Sequence, residues 1–216
     1  LVYTSSSFLN KSETTRILNY LTKNCSYLDT YALEKLDNEV SNKKYDLVLS
    51  IGGDGVFISA SKYAYKKSIP VLGLNFGRIG FLADLDKKQL QSKMTEILNG
   101  NYIVDKRTML SGTVISGASI HKSISLNDVV INNCGKLKMI ETDIFVNDNL
   151  ITKQRSDGVI VSTPTGSTAY AMSNGCPIVS PKSNVICIVP IAPHSYGQRS
   201  IIINNSDKVT IKINKK

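Results

Sequence analysis

The sequence predicts an α/β domain built on a parallel sheet, followed by an all-β domain. Two observations carry this prediction. Apolar strands alternate with amphipathic helices up to about residue 100, and short β-branched runs dominate from residue 101 onward. No long linker, internal repeat or low-complexity tract separates the two halves. We place the domain boundary so that residues 1–103 form the α/β domain and residues 104–216 form the β-rich domain.

The α/β prediction rests on the spacing of apolar residues in the first half. Ile17, Leu18 and Leu21 share one helical face, and the apolar segment DLVLSI (46–51) is typical of a strand buried in a parallel sheet. In chain order, the predicted elements are strand 1–4, helix 11–23, strand 46–51, helix 57–67, strand 70–75 and helix 87–98.

The all-β prediction rests on the β-branched runs of the second half, where only residues 165–174 have a helical pattern. Asn147, Asp148 and Asn149 separate two of these runs and indicate a hairpin turn. The predicted strands are 113–116, 128–131, 142–146, 150–152, 158–162, 184–191, 200–204 and 208–213.

Composition limits the classes of function. The 216 residues are 42% hydrophobic, which suffices for a core, and no apolar run is long enough to span a membrane. The formal net charge is +9, but the Lys residues are scattered and form no basic stripe. We interpret this charge as a solubilising surface and expect neither a nucleic-acid nor a membrane partner. No signal peptide is recognisable, so we expect a cytoplasmic protein.

The cysteines and histidines argue against a zinc site. Four Cys residues occur without CxxC spacing, and the chain has only two His. We expect the four thiols to be reduced. The chain begins at Leu1 rather than at Met and stops soon after a strand-like segment, and we expect both ends to be incomplete.

The GGDG segment, residues 52–55, follows a predicted buried strand and precedes a helix. Glycines let a backbone approach a ligand closely, and the amides of a helix N-terminus favour phosphate. A carboxylate at Asp54 fits such a site if it holds a metal ion or takes a proton from a nucleophilic hydroxyl. The alternative is a tight turn in which Asp54 caps the helix.

The run DGVIVSTPTGSTAYAMS, residues 157–173, surrounds Gly166 with hydroxyl groups. Hydroxyls and backbone amides could bind a ligand rich in hydroxyls or phosphates. A polar connection between a strand and a helix, capped by Ser or Thr, explains the same residues equally well.

Three further constellations leave a functional and a structural interpretation open. Arg78 lies between two glycines, where it could bind phosphate, whereas we expect Phe81 and the adjacent Leu82 to belong to the core. The Asn127-Asp128 pair could bind an adenine or ribose edge, or form a turn before a strand. His194 could act as a general base or lie packed or exposed in a loop. The Walker and GxGxxG nucleotide motifs are absent.

Five motifs in order resemble the NAD kinase family: GGDG, LNFGRIGFL (74–82), LNDVVI (126–131), QRSDGVIVSTPTGSTAYAMSNGCPI (154–178) and PIAPHSYGQRSIII (190–203). GGDG is shared with other kinases, whereas TPTGSTAY (163–170) is specific, and the resemblance covers roughly residues 46–204. It implies a Rossmann-like domain and a β-sandwich-like domain with the site between them. It also implies a homodimer or homotetramer in which neighbouring subunits contribute to the site.

The resemblance implies transfer of the γ-phosphate of ATP to the 2′-hydroxyl of the adenosine ribose of NAD, with a divalent metal cation, Mg²⁺, as cofactor. Asp54 is then the catalytic base. The residues that the resemblance assigns to NAD are Asp54, Gly55, Asn127, Asp128, Lys138, Arg155, Asp157, Thr168, Ala169, Tyr170, Ala171, Met172 and Ser173. The residues assigned to the ATP phosphates are Gly52, Gly53, Gly55 and Arg78.

The chain departs from the family pattern at two positions. Val56 stands where Thr is common, which removes a hydroxyl near the phosphates, and Cys176 stands where Gly is usual. A lipid kinase of the diacylglycerol or sphingosine type shares GGDG but has no use for TPTGSTAY. A 6-phosphofructokinase-like enzyme would keep β/α character in the second half. A catalytically silent dinucleotide-binding protein would not need Asp54.

Overall fold

The computed structural model describes residues 2–4, 11–32, 43–76, 80–83, 85–86, 89–134 and 138–214. The chain divides into two compact units, Leu1–Asp105 and Lys106–Lys216. Among the described residues, no helix has the length and apolar character needed to cross a bilayer.

The first unit is a five-stranded sheet with helices on both faces. All four strand pairs are parallel, and the strand order is β2-β1-β3-β4-β5. Its elements are β1 (Val2–Thr4), α1 (Ser12–Asn24), β2 (Thr30–Ala32), β3 (Val48–Gly52), α2 (Asp54–Lys67), β4 (Val71–Asn75), β5 (Leu85–Asp86) and α3 (Leu90–Leu98).

Two apolar clusters form the core of this unit. Leu21 of α1 and Met94 of α3 pack with Leu49 and Ile51 of β3 in one cluster. In the other cluster, Ala60 and other residues of α2 pack with Val48 of the same strand. Every residue of β3 is buried, because helices cover the sheet on both sides. The first glycine of GGDG, Gly52, is therefore the last residue of a fully buried strand.

The second unit consists of antiparallel strands in three sheets, with orders β10-β9-β14, β13-β12-β11-β8 and β6-β7. Its strands are β6 (Leu110–Ser116), β7 (Ser119–Ser125), β8 (Asp128–Asn132), β9 (Ile140–Val146), β10 (Asn149–Ser156), β11 (Gly158–Ser162), β12 (Val185–Ile191), β13 (Ile201–Asn204) and β14 (Val209–Asn214). A 3-10 turn (Thr165–Thr168) and the short helix α4 (Tyr170–Ser173) follow β11.

The four-stranded sheet is covered on both faces. Val159 and Ile188 contact Ile144 of the three-stranded sheet, which covers one face. Ile160 of β11 packs with Ala171 of α4 in a separate cluster. Both sides of β11 are therefore enclosed, which explains its uninterrupted apolar sequence and its complete burial.

The predicted fold class is confirmed: a parallel α/β sheet is followed by antiparallel sheets. The predicted hairpin turn is also present, since Asn147 and Asp148 both have positive φ angles, 48° and 67°. Three strands, β2, β5 and β7, were not predicted. The first two have three and two residues, and β7 alternates Ser, His and Lys with isolated Ile on an exposed two-stranded ribbon. The predicted start of the third helix at Lys87 lies outside the described residues.

Candidate active site

Asp54 is the first residue of α2 and lies directly beyond the carboxyl end of β3. Its side chain is half-buried. One carboxylate oxygen accepts a hydrogen bond from the backbone N–H of Phe81 at 2.9 Å, and the other accepts one from the N–H of Leu82 at 3.2 Å. The carboxylate is thus held by a segment 27 and 28 residues further along the chain.

The glycines beside Asp54 leave space on this edge of the sheet. Apart from the adjacent residues and the backbone of α2, a Cβ added at Gly53 or at Gly55 would meet no described atom within 4 Å. Both residues lie at the start of α2, where backbone amides carry partial positive charge. A group larger than a methyl could approach the backbone here.

Val56, which stands where the family commonly has Thr, has a buried side chain. The side chain is 9% exposed and packs with Val48 and Ala60 in the core of the unit. An apolar residue at this position therefore stabilises the attachment of α2 to the sheet.

The expectation that Phe81 belongs to the core is wrong, because its side chain is 69% exposed. Its contribution near Asp54 is made by the backbone N–H. A backbone donor has no signature in side-chain pattern, so sequence reasoning missed this role for Phe81 and Leu82. The nearby glycine, Gly80, was the available signal.

In the second unit, the turn after β11 fixes the backbone of Asn127, which precedes β8. The N–H of Thr163 donates to the Asn127 carbonyl at 2.8 Å. The Thr163 hydroxyl donates to the Leu126 carbonyl at 2.6 Å and accepts from the Gly166 N–H at 3.0 Å. A Cβ at Gly166 would lie 2.3 Å from the Asn127 carbonyl oxygen, so only glycine fits there without rearrangement.

Several hydroxyls of the run 157–173 are engaged inside the protein. Those of Thr163 and Ser167 belong to residues with 0% exposure. The Ser167 hydroxyl donates to the Pro164 carbonyl at 2.7 Å and accepts from the Val179 N–H at 2.9 Å. These hydroxyls stabilise the turn itself. This agrees, for these two residues, with the interpretation of the run as a polar connection between a strand and a helix.

The side chains of Asn127 and Asp128 are both half-buried. No described residue bonds the buried side-chain oxygen of Asn127. Burial raises the pKa of the Asp128 carboxyl. An unpartnered buried oxygen is costly unless a donor reaches it, and a bound ligand could supply that donor.

The residues of the predicted NAD-binding segment 168–173 differ in solvent exposure. Tyr170 and Met172 are 47% and 44% exposed, whereas Ala171 between them is fully buried in the core. The Thr168 hydroxyl donates to the Thr165 carbonyl at 3.3 Å. Tyr170 and Met172 are therefore the large side chains of this segment that a ligand could reach.

Lys138 and Arg155 are exposed, and Asp157 is half-buried between β10 and β11. Asp157 lies beside β12, because its N–H donates to the Ile191 carbonyl at 2.9 Å. His194 is exposed in a loop, and its N–H donates to the Arg155 carbonyl at 2.9 Å. Arg78 lies outside the described residues.

Sequence reasoning did not identify Arg107. Its guanidinium donates to the Thr165 hydroxyl at 3.4 Å, which connects the start of the second unit to the turn after β11.

All four cysteines are free thiols.

Two family models match the chain, one for each half. The ATP-NAD kinase N-terminal domain matches residues 3–102, and the ATP-NAD kinase C-terminal domain matches residues 126–216. Together they account for most of the sequence.

Curated relatives agree with these models. A Coxiella burnetii NAD kinase is 44% identical over 172 residues, which are 79% of this chain and 57% of the relative. A Saccharophagus degradans NAD kinase is 38% identical over 184 residues, which are 85% of this chain and 63% of the relative. The chain thus spans about 57% to 63% of the length of these relatives.

Solved structures show the same fold. Yeast NADH kinase complexed with NADH has a TM-score of 0.83 and 25% identity, covering 98% of this chain and 71% of its own. An Archaeoglobus fulgidus NAD kinase in complex with ATP has a TM-score of 0.79 and 23% identity, covering 98% of this chain and 79% of its own. Since both halves match the family models in the expected order, the chain belongs to the NAD kinase family.

Proposed function

We propose that this protein transfers the γ-phosphoryl group of ATP to the 2′-hydroxyl of the adenosine ribose of NAD, forming NADP. One observation carries the proposal. In a chain whose halves both match ATP-NAD kinase domains, the half-buried Asp54 carboxylate lies between two open glycines at the N-terminus of α2.

Asp54 is proposed as the general base. A ribose hydroxyl is a weak nucleophile, and a positioned carboxylate that takes its proton contributes roughly 10²–10⁴-fold to the rate. The carboxylate is already oriented by two backbone N–H groups. Each oxygen keeps a further lone pair with which to accept the hydroxyl proton.

The donor phosphates are assigned to Gly52, Gly53 and Gly55, with Arg78 as a further cation. The open approach at Gly53 and Gly55 lets phosphate oxygens reach the amides at the start of α2. Positioning and charge stabilisation supply most of the rate enhancement in phosphoryl transfer, and these groups would provide both.

NAD is assigned to Gly55 and to the second unit, through Asn127, Asp128, Lys138, Arg155, Asp157 and residues 168–173. The unpartnered Asn127 oxygen supports this assignment, since an amino group or hydroxyl of the ligand would satisfy it. The likeness to yeast NADH kinase, which was solved with NADH, also supports a nicotinamide dinucleotide as substrate. Ala171 would contribute through its backbone, because its side chain is buried.

The divalent cation is proposed to enter with ATP. In the part of the chain that the structure describes, no three His, Cys, Asp or Glu side chains form a group that could hold a metal ion. Mg²⁺ is commonly bound through substrate phosphates together with few protein ligands. Mg²⁺ would then be held mainly by the phosphates of ATP.

The assembly is proposed to be a homodimer or homotetramer, and the location to be the cytoplasm. The oligomeric state is the one that the resemblance to the family implies. Light scattering on the purified protein measures its mass and decides between a monomer and an oligomer.

The deciding experiment supplies ATP, Mg²⁺ and NAD to the purified protein and measures NADP with an NADP-specific dehydrogenase. Parallel reactions contain NADH in place of NAD, or a diacylglycerol or sphingosine with labelled ATP. NADP formation is the expected result. A folded protein that labels the lipid and forms no NADP is instead the lipid kinase that GGDG alone would allow.

A further inference from the structure

The segment Gly80–Ala83, which lies outside α2, contacts the Asp54 carboxylate. The N–H groups of Phe81 and Leu82 each donate to a different oxygen of the carboxylate, at 2.9 Å and 3.2 Å. The N-cap of α2 is Gly53, and no side chain caps the start of this helix. Here the carboxylate instead bonds to a separate segment.

Gly80 brings this segment closer to Asp54 than any other residue type allows. A Cβ at Gly80 would lie 2.2 Å from one carboxylate oxygen, 2.7 Å from the other and 2.6 Å from the carbon between them. Contacts below 3.0 Å essentially never occur for a real Cβ. An alanine at this position would therefore force either the carboxylate or the segment to move.

Gly73 allows a similarly close approach at the Ala83 end of the segment. A Cβ on this β4 residue would lie 2.8 Å from the Ala83 Cα atom. The segment is thus seated against β4 at one end and against Asp54 at the other.

We propose that Gly80 and the backbone amides of Phe81 and Leu82 position the Asp54 carboxylate for proton abstraction. This inference rests on the proposed function, in which Asp54 is the base. The two amides fix the plane of the carboxylate, and the absence of a side chain at Gly80 lets them reach it. Gly80 is a positioning residue, because it acts through Asp54. Displacement of a reacting group by about 1 Å can lower a rate by about 10²-fold.

The test is a double-mutant cycle in the full chain with Gly80→Ala, Asp54→Ala and the double variant. Gly197→Ala is the matched control, since a Cβ there meets no described atom within 4 Å. Unfolding by urea and NADP formation per folded molecule are measured for each. A purely structural glycine would lower stability in both backgrounds, whereas a residue that acts through Asp54 loses its effect once the carboxylate is absent.

We expect Gly80→Ala to lower kcat by about 10- to 100-fold with less than about a threefold change in KM for NAD. It should also lower the urea midpoint, and Asp54→Ala should abolish both effects by removing the colliding atoms. The inference is overturned if Gly80→Ala keeps kcat within about twofold of the unchanged protein. It is equally overturned if its effect on stability is the same in both backgrounds. Should the unchanged protein form no NADP, the proposed function fails separately, and the urea cycle still decides whether Gly80 and the carboxylate are coupled.

Discussion

Gly166 lies so close to Asn127 that a Cβ on the glycine would come within 2.3 Å of the asparagine's carbonyl oxygen. This contact joins the turn after β11 to the residue before β8. The backbone position of Asn127, a predicted ligand-binding residue, is therefore fixed by a segment about 40 residues away in sequence.

Gly166→Ala should destabilise the protein, because the new methyl group collides with backbone that cannot easily move. Overpacking of this kind typically costs about 1–3 kcal/mol. Equilibrium unfolding in urea measures the change. Gly112→Ala is the control, since its Cβ would make an ordinary 3.5 Å contact with Val129. Equal stability of the two variants would contradict the close packing at Gly166.

Thr163→Val should destabilise the protein more than Thr163→Ser. The valine has the shape of threonine but removes the hydroxyl that bridges the Leu126 carbonyl and the Gly166 N–H. Leaving buried polar groups without partners costs about 1–3 kcal/mol. Serine keeps the bridge and loses only a methyl group. Urea unfolding of both variants gives the comparison, and a serine variant as unstable as the valine variant would show that the hydroxyl is not what matters.

Asn127→Ala should weaken NAD binding while changing stability little. The Asn127 side-chain oxygen has no partner among the described residues, so its removal breaks no bond there. Loss of one neutral hydrogen bond to the ligand costs about 0.5–1.5 kcal/mol, or roughly 2- to 10-fold in Kd. Calorimetric titration with NAD measures the affinity. Unchanged affinity would remove this side chain from the proposed site.

Asp54→Asn should retain NAD binding and lower kcat by roughly 10²–10⁴-fold, because an amide cannot take the hydroxyl proton. The asparagine oxygen can still accept one of the two backbone N–H groups, but its NH₂ group then faces the other donor. This mismatch could lower stability, so the thermal unfolding of the variant should be measured together with its rate.

Asp46→Asn is the control for this substitution, since Asp46 is exposed just before β3. It should leave the rate unchanged. If Asp54→Asn retains full turnover, Asp54 is not the base.

Stability should fall in alkali in a way that depends on Cys176. Burial, together with the neighbouring Cys187 thiol, raises the pKa of Cys176 from 9.0 to about 12. Between these values the unfolded chain loses the proton while the folded protein keeps it. The stability that this thiol contributes is therefore complete below pH 9 and is lost as the pH rises toward 12.

The expected slope is about 1.4 kcal/mol for each pH unit in this window. Because Tyr and Lys residues also titrate there, the measurement is the difference in urea stability between the protein and Cys176→Ala across the window. Parallel pH profiles for the two proteins would contradict the raised pKa.

Sequence patterns predicted the type of most elements because burial on two faces leaves an apolar signature. The strand predicted at 158–162 matches β11, whose five residues are all buried. The ribbon of β6 and β7 was harder to predict from the sequence, because its side chains are largely exposed. Polar residues also carry little strand preference. Short edge strands such as β5 gain their structure from the neighbouring strand rather than from their own sequence.

Side chains of the candidate site leave a signal in the sequence, whereas backbone groups of the site leave almost none. Asp54 and Asn127 could be selected as candidates from the sequence, and their roles in the site stay predictions. The amides of Phe81 and Leu82 depend on how closely two segments approach, and this appears in the sequence only as a glycine. The sequence left two interpretations of the hydroxyls around Gly166 open, and the structure shows that those of Thr163 and Ser167 form hydrogen bonds inside the protein.

The pairing of β8 with β11 has a consequence for refolding. β8 is the edge strand of its sheet, and Asp128 opposes Ser162 while Asn132 opposes Gly158. A slip by one residue would exchange the two faces of β8 and carry Asn127 away from the Thr163 amide. Such a molecule would have nearly the same circular dichroism and a similar compactness. If Asn127 binds NAD as proposed, recovery of NAD affinity is therefore a stricter measure of correct refolding than recovery of secondary structure.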